Sequence, residues 1–205
     1  MDLAHQPTKI LITGASGTGK STYWTRCLLG FPARYKFVYD HEGELAARLG
    51  VPSLAGLPEL AESTARGWAI FDPHRLFPGR IEEGFAFFCD FAFAAGQRLA
   101  GRKLFACDEL QCLVDTQSLS DELRLILQTG RRYQIDFLGI AQQPNEIHNR
   151  VRAQFTEVVS FLQTEALAID WLARFGFDGE ALRHLAPGEF VARTRRGTEA
   201  RGRVF

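Results

Sequence analysis

Short apolar runs alternate along this chain with longer stretches whose apolar positions recur every three or four residues. The short runs, at residues 9–13, 35–39, 68–71, 103–107, 135–141 and 157–162, read as buried strands. Between them lie helical patterns at 21–29, 44–49, 57–66, 81–100, 121–133, 147–153 and 166–175. Ser120 stands where it can cap the helix that begins at Asp121. Strand followed by helix, repeated, predicts an α/β fold with a mainly parallel central sheet covered by helices on both faces. Two last runs, 189–193 and 200–205, predict a C-terminal β-hairpin across Arg196 and Gly197. In the longest helix, Phe85, Phe88 and Phe91 share one face with Phe87 beside them, a stripe expected to pack into the core. No repeat or linker interrupts the pattern, so residues 1–205 are expected to form a single domain.

Composition narrows the function classes. Of 205 residues, 24 are basic and 24 acidic, so the chain lacks the basic excess of a stand-alone nucleic-acid binder. Any grip on DNA must come from a local patch or from several subunits together. Lysine occurs only at Lys9, Lys20, Lys36 and Lys103, which makes the one inside a glycine-rich loop conspicuous. Cys27, Cys89, Cys107 and Cys112 form no CxxC pair and read as buried free thiols of a reducing cytoplasm. The longest apolar stretch, 85–95, is interrupted by Asp90 and falls short of the ~20 residues a membrane span requires. A cytoplasmic protein without a transmembrane segment is expected.

Chemistry enters with Gly14-Ala15-Ser16-Gly17-Thr18-Gly19-Lys20-Ser21-Thr22, placed between the first strand and the first helix. The spacing Gly-x-x-x-x-Gly-Lys-Ser is that of a phosphate-binding P-loop. Glycines let successive N–H groups turn inward, and the following helix offers its N-terminus to the anion. Lys20 would reach the β- and γ-phosphates of ATP, and the Ser21 hydroxyl would ligate Mg2+. A second carboxylate-bearing strand is then required, and residues 104–109 supply it. Asp108 would hold the metal through water and Glu109 would act as general base on the attacking water. In the P-loop class with an added central strand, a further strand stands between these two. The runs at 35–39 and 68–71 are the candidates that precede residue 103.

Residues 130–144 add two polar residues around a buried strand. Gln142 at its tip could sense the γ-phosphate, and Arg131 at its foot could serve a neighbouring subunit's ATP as a finger. Alone, Gln142 reads more readily as a strand cap and Arg131 as a charge at a helix C-terminus.

Together these residues resemble the FtsK–HerA superfamily of DNA-pumping ATPases. The likeness rests on the loop at 14–22, the strand into Tyr39-Asp40-His41-Glu42-Gly43-Glu44, and the strand ending in Asp108-Glu109. Gly130-Arg131 with Ala141-Gln142-Gln143-Pro144, and Asn149-Arg150-Val151-Arg152 after it, complete the match. The chain's size resembles the minimal genome-packaging ATPases of membrane-containing icosahedral viruses. That resemblance implies a ring of identical subunits, usually six, threading double-stranded DNA at the expense of ATP, with Arg131 (or Arg132) as the finger in trans. It also implies a capsid or portal-vertex partner and a place in the host cytoplasm or the virion. His74, Arg75, Arg80, Arg193, Arg195 and Arg196 are candidate DNA contacts, although the simpler reading of each is a solvated side chain. Phage assembly, DNA transfer and small-molecule phosphorylation by a nucleoside- or shikimate-type kinase are the alternatives. No Asn-Lys-x-Asp or Leu-Ser-Gly-Gly run points to a GTPase or a transporter subunit.

Overall fold

The structure is a computed structural model that describes residues 6–54, 56–114, 116–117 and 119–205. Its strands are β1 (Lys9–Thr13), β2 (Tyr35–Tyr39), β3 (Trp68–Phe71), β4 (Lys103–Cys107), β5 (Ile135–Ala141), β6 (Glu157–Ser160), β7 (Glu189–Thr194) and β8 (Glu199–Arg203). The sheet order is β3-β2-β4-β5-β1-β6-β7-β8. β2 pairs in parallel with β3 and β4, and β1 with β6, whereas β7 is antiparallel to β6 and to β8. The expected fold class and C-terminal hairpin are therefore both present.

The strand between β1 and β4 is β5, not either of the earlier runs at 35–39 and 68–71. Both edges of β2 are already filled by β3 and β4, so it has no free edge to offer β1. β5 is the longest strand and is buried at all seven positions, as a central strand covered on two faces must be.

The helices are α1 (Lys20–Gly30), α2 (Leu45–Leu49), α3 (Leu57–Ala65), α4 (Ile81–Arg98), α5 (Leu110–Leu113), α6 (Asp121–Thr129), α7 (Asn149–Arg152), α8 (Ala166–Arg174) and α9 (Gly179–Arg183). α5 and α9 are too short for an amphipathic period to reveal them. Asp178 nevertheless caps α9 by accepting from the N–H groups of Glu180 and Ala181. The stretch 121–133 ends as a helix at Thr129 and tightens into a 3-10 turn over Gly130–Tyr133. Among the described residues no helix is long and apolar enough to cross a membrane.

Contacts gather the chain into two compact units. The first is built around residues 31–108 and 119–137. There the phenylalanine stripe of α4 does pack into a core: the Phe88 ring stacks on Phe71 at 5.3 Å and also meets Tyr39 and Phe105. Phe85 meets Tyr39 edge-on at 5.0 Å. Ser120 caps α6, accepting from the Leu123 N–H at 3.2 Å. Cys89 and Cys107 are buried free thiols as expected. Cys112, in contrast, is exposed, because α5 is a single turn that turns it outward.

This unit also buries a charge. The Asp136 carboxylate has 0% side-chain exposure and is held by Arg102, Nε at 2.7 Å and Nη2 at 3.2 Å. Removing one partner of such a pair strands the other charge in a low dielectric. Arg102→Ala is expected to cost about 3 kcal/mol and to lower the melting temperature by roughly 6–12 °C. A thermal melt followed by circular dichroism checks this, and a change under 2 °C would contradict it.

The second unit is built around residues 8–30, 109–117 and 138–205. It holds β1, β6, β7 and β8 with Leu11, Ile12, Val158 and Val159 fully buried. The rings of Tyr23, Phe161 and Phe190 form a second aromatic cluster beneath α1.

Candidate nucleotide site

The loop from Gly14 to Gly19 leaves the end of β1 and enters α1. Gly14, Gly17 and Gly19 have φ of 145°, 74° and 108°, values that suit glycine and strain other residues. At Gly14 the space itself is closed, since a Cβ there would lie 2.7 Å from Phe161 Cβ. The loop is tied back by Ala15 N–H donating to Leu162 O at 2.8 Å, and the Thr18 hydroxyl donates to Ala15 O at 2.8 Å. Among the described residues nothing accepts a hydrogen bond from the N–H groups of Ser16, Gly17, Thr18 or Gly19. Such a row of free donors at a helix N-terminus is what a polyphosphate requires.

Lys20, the first residue of α1, is buried, and its ammonium donates to Ala15 O at 2.7 Å. Burial lowers its pKa, and the negative charge of Glu109 works in the opposite direction. Lys20 is thus a desolvated cation that feels the negative charge of Glu109. Ser21 and Thr22 follow on the exposed first turn of α1, with the Ser21 hydroxyl on the surface.

Glu109 itself has φ 41° and ψ 49°, a left-handed conformation that a non-glycine residue adopts at a cost of about 1 kcal/mol. Its carboxylate accepts from the Gln111 side-chain amide. Gln111 sits two residues on, so the acid is positioned by its own turn and not by a distant helix.

On the first unit, Asp108 follows directly on β4. One of its carboxylate oxygens accepts from the His41 N–H at 2.6 Å, which fixes the side chain. The neighbouring Asp40 is buried, accepts from the N–H groups of Leu45 and Ala46, and so starts α2. Burial pushes the Asp40 carboxyl above the usual carboxylate range.

Gln142 lies just past β5. Its backbone carbonyl accepts from the Thr13 hydroxyl at 3.0 Å, which places it against the end of β1 where the loop begins. The side chain is exposed. Arg131 lies in the 3-10 turn on the first unit, exposed, before β5.

Several residues beside the loop escape sequence reading. Gln163, 2% exposed, donates through Nε2 to Thr13 Oγ1 at 3.1 Å, so Thr13 links two glutamines. Each glutamine follows an apolar strand, and that repeated pattern was the available signal. Gly188 donates its N–H to Thr18 O at 2.9 Å, and the 65% exposed Phe205 ring covers Gly19 and Gly188. Nothing in the sequence marks these last contacts, which arise from the hairpin's return past the loop.

No protein-family profile matches the chain, and no curated protein matches it in sequence. Solved structures do match in shape. The genome-packaging NTPase B204 of Sulfolobus turreted icosahedral virus 2, in complex with AMP, superposes with a TM-score of 0.73 over 99% of this chain and 98% of its own, at 14% identity. VirB4 of Thermoanaerobacter pseudethanolicus gives a TM-score of 0.70 over 100% of this chain and 92% of its own, also at 14% identity. EssC of Geobacillus thermodenitrificans gives 0.64 over 95% of this chain but 39% of its own, at 16% identity. Over essentially its whole length, the chain has the P-loop NTPase fold shared by B204 and VirB4, the fold its motifs lead one to expect.

Proposed function

We propose that this chain is an ATP-hydrolysing translocase of double-stranded DNA, of the genome-packaging kind. The observation that carries the reading is the loop itself. Four N–H groups without an acceptor, a buried ammonium and one acid within its field occupy a single compact unit. That set fits a nucleoside triphosphate, with the phosphates over residues 14–22 and Lys20 released from Ala15 to meet the β- and γ-oxygens. The fold shared along both chains with B204, named a genome-packaging NTPase, supports the DNA half of the reading.

The exposed Ser21 and the Asp108 carboxylate, fixed by His41, each offer a hard oxygen donor of the kind Mg2+ takes. When bound, it would neutralise charge building up on the phosphates. Glu109 takes a proton from the attacking water. Gln142, whose carbonyl is tied to Thr13, carries the difference between bound triphosphate and diphosphate to the end of β5. Arg131, exposed and at the far end of β5, serves the ATP of an adjacent subunit, so the active form is a homo-oligomeric ring of six subunits. A capsid or portal-vertex protein would anchor the ring in a virus.

The test is ATP hydrolysis by the purified chain with and without duplex DNA, with mass followed by light scattering. Stimulation of several-fold together with ring-sized particles is expected. Hydrolysis indifferent to DNA, in a chain that stays monomeric with DNA present, would remove the translocase reading and turn attention to small phosphate acceptors.

A further inference from the structure

The second unit carries a cationic cavity that the nucleotide site does not use. It has a volume of about 310 Å3, and its lining includes Arg152 of α7, Trp171 and Arg174 of α8, Phe175 and Arg195. Arg195 N–H donates to Thr156 O at 3.0 Å, just before β6. The other end of β6, Ser160, pairs with Thr13 beside the phosphate loop. The cavity therefore lies at the opposite end of these strands from the loop.

Three arginines line this space, and no acidic residue is among those that line it. Elsewhere on the surface the usual arrangement is a pair: Arg48 with Glu44, Arg66 with Glu62, Arg80 with Glu83, Arg124 with Asp121. Arg195 is held in place by the carbonyls of Phe155 and Ala153 and lies 5.3 Å from the centroid of the Phe175 ring. Arg152 and Arg174 have no ion pair or side-chain hydrogen bond among the described residues, and Arg152 Nε is buried without a partner. Burial lowers the Arg152 pKa, and the charge of Arg174 lowers it further. Like charges gathered in a cavity destabilise a protein unless an anion joins them.

The rings narrow the anion. Trp171 and Phe175 stand 6.0 Å apart and tilted at 35°, an aromatic wall beside the three arginines. A lone carboxylate is satisfied by one bidentate arginine and gains nothing from the wall. A phosphate has more oxygens and more charge to share among three guanidiniums, and a nucleobase has a face for the rings.

We propose that this cavity binds an unpaired nucleotide unit, with the phosphate on Arg152, Arg174 and Arg195 and the base against Trp171 and Phe175. Its source is a free nucleotide or an exposed strand of DNA, and the choice of DNA rests on the function proposed above. In a motor on duplex DNA, such a site would hold a frayed end or a displaced strand.

The experiment is fluorescence anisotropy of a labelled single-stranded 12-mer and of its duplex, without ATP, with AMP and inorganic phosphate as competitors. Arg174→Gln is expected to weaken single-strand binding about tenfold and to flatten the salt dependence by about 0.7 in log–log slope for the lost phosphate contact. Trp171→Ala is expected to weaken single-strand binding while leaving duplex binding unchanged. If DNA is the source, AMP displaces the strand only at concentrations far above that of the 12-mer. If the source is a free nucleotide, AMP competes at comparable concentrations and the same variants lose AMP. Arg174→Gln should melt no lower than the parent, because it removes repulsion from Arg152, whereas a merely structural arginine would lower the melting temperature.

Unchanged affinity of Arg174→Gln and Arg152→Gln for strand and AMP alike would overturn the proposal. So would loss of self-association in Arg174→Gln with DNA binding intact, which would assign the cavity to an acidic side chain of a second copy. Failure of the nucleotide-loop reading looks different: it would appear as ATP binding that Lys20→Ala leaves unaltered, with no effect on the 12-mer.

Discussion

Lys20→Ala is expected to lose ATP turnover by at least about 100-fold, while folding as well as the parent. The loss corresponds to about 3 kcal/mol of charge-assisted hydrogen bonding to phosphate oxygens. The unaltered fold follows from the direction of the lysine's pKa shift. Burial holds the Lys20 pKa below its unfolded value, so at neutral pH the charged ammonium is a burden on the folded state. Its contribution to stability grows as pH rises from the depressed folded pKa towards the unfolded one. Alanine removes that burden together with one hydrogen bond to Ala15 O. The melting temperature of the variant should therefore match or exceed the parent's at pH 7. Adding Mg-ATP should raise it in the parent by mass action and leave it unmoved in the variant. A variant that melts well below the parent would make Lys20 a structural residue, and one that keeps turnover would take the loop out of the chemistry.

Legibility in the sequence followed the physics of each feature. The P-loop could be read because its demands are local: glycines at positive φ, a lysine and a hydroxyl at fixed offsets, all within nine residues. The strands of this α/β sheet could be read because burial on both faces leaves a continuous apolar run, as at Phe37-Val38-Tyr39 and Leu104-Phe105-Ala106. The strand order could not. Which run stands beside β1 depends on edges taken elsewhere in the sheet, and β2 is excluded by partners 30 residues and more away along the chain from its own sequence neighbours. Contacts set by long return paths were equally silent. Gln163 reaches Thr13 across 150 positions, and Phe205 reaches Gly19 only because the C-terminal hairpin folds back. The arginine cavity draws on three separated segments, so Arg195 read as a solvated side chain until Arg152 and Arg174 were beside it.

Glu109→Gln is expected to bind ATP as the parent does and to hydrolyse it about 10²–10⁴-fold more slowly, the range for loss of a general base. The backbone at this residue sharpens the test. At φ 41° the chain holds a long acidic side chain in a conformation that asparagine and glycine adopt more readily. Strain kept at one residue of a turn calls for a compensating function, and here the acid stands within the field of the loop lysine. Glu109→Asn should therefore melt no lower than the parent and lose turnover as fully as Glu109→Gln. The amide at Gln111, which donates to the Glu109 carboxylate, predicts a third member of the series. Gln111→Ala leaves the acid in place but unaimed, so its turnover should fall by a smaller factor than either substitution of Glu109, with ATP binding unchanged. Single-turnover hydrolysis alongside nucleotide titration measures all three. Parent-like turnover in Glu109→Gln would transfer the base to another group, and a lower melting temperature in Glu109→Asn would show that the left-handed turn is held for the fold and not for the reaction.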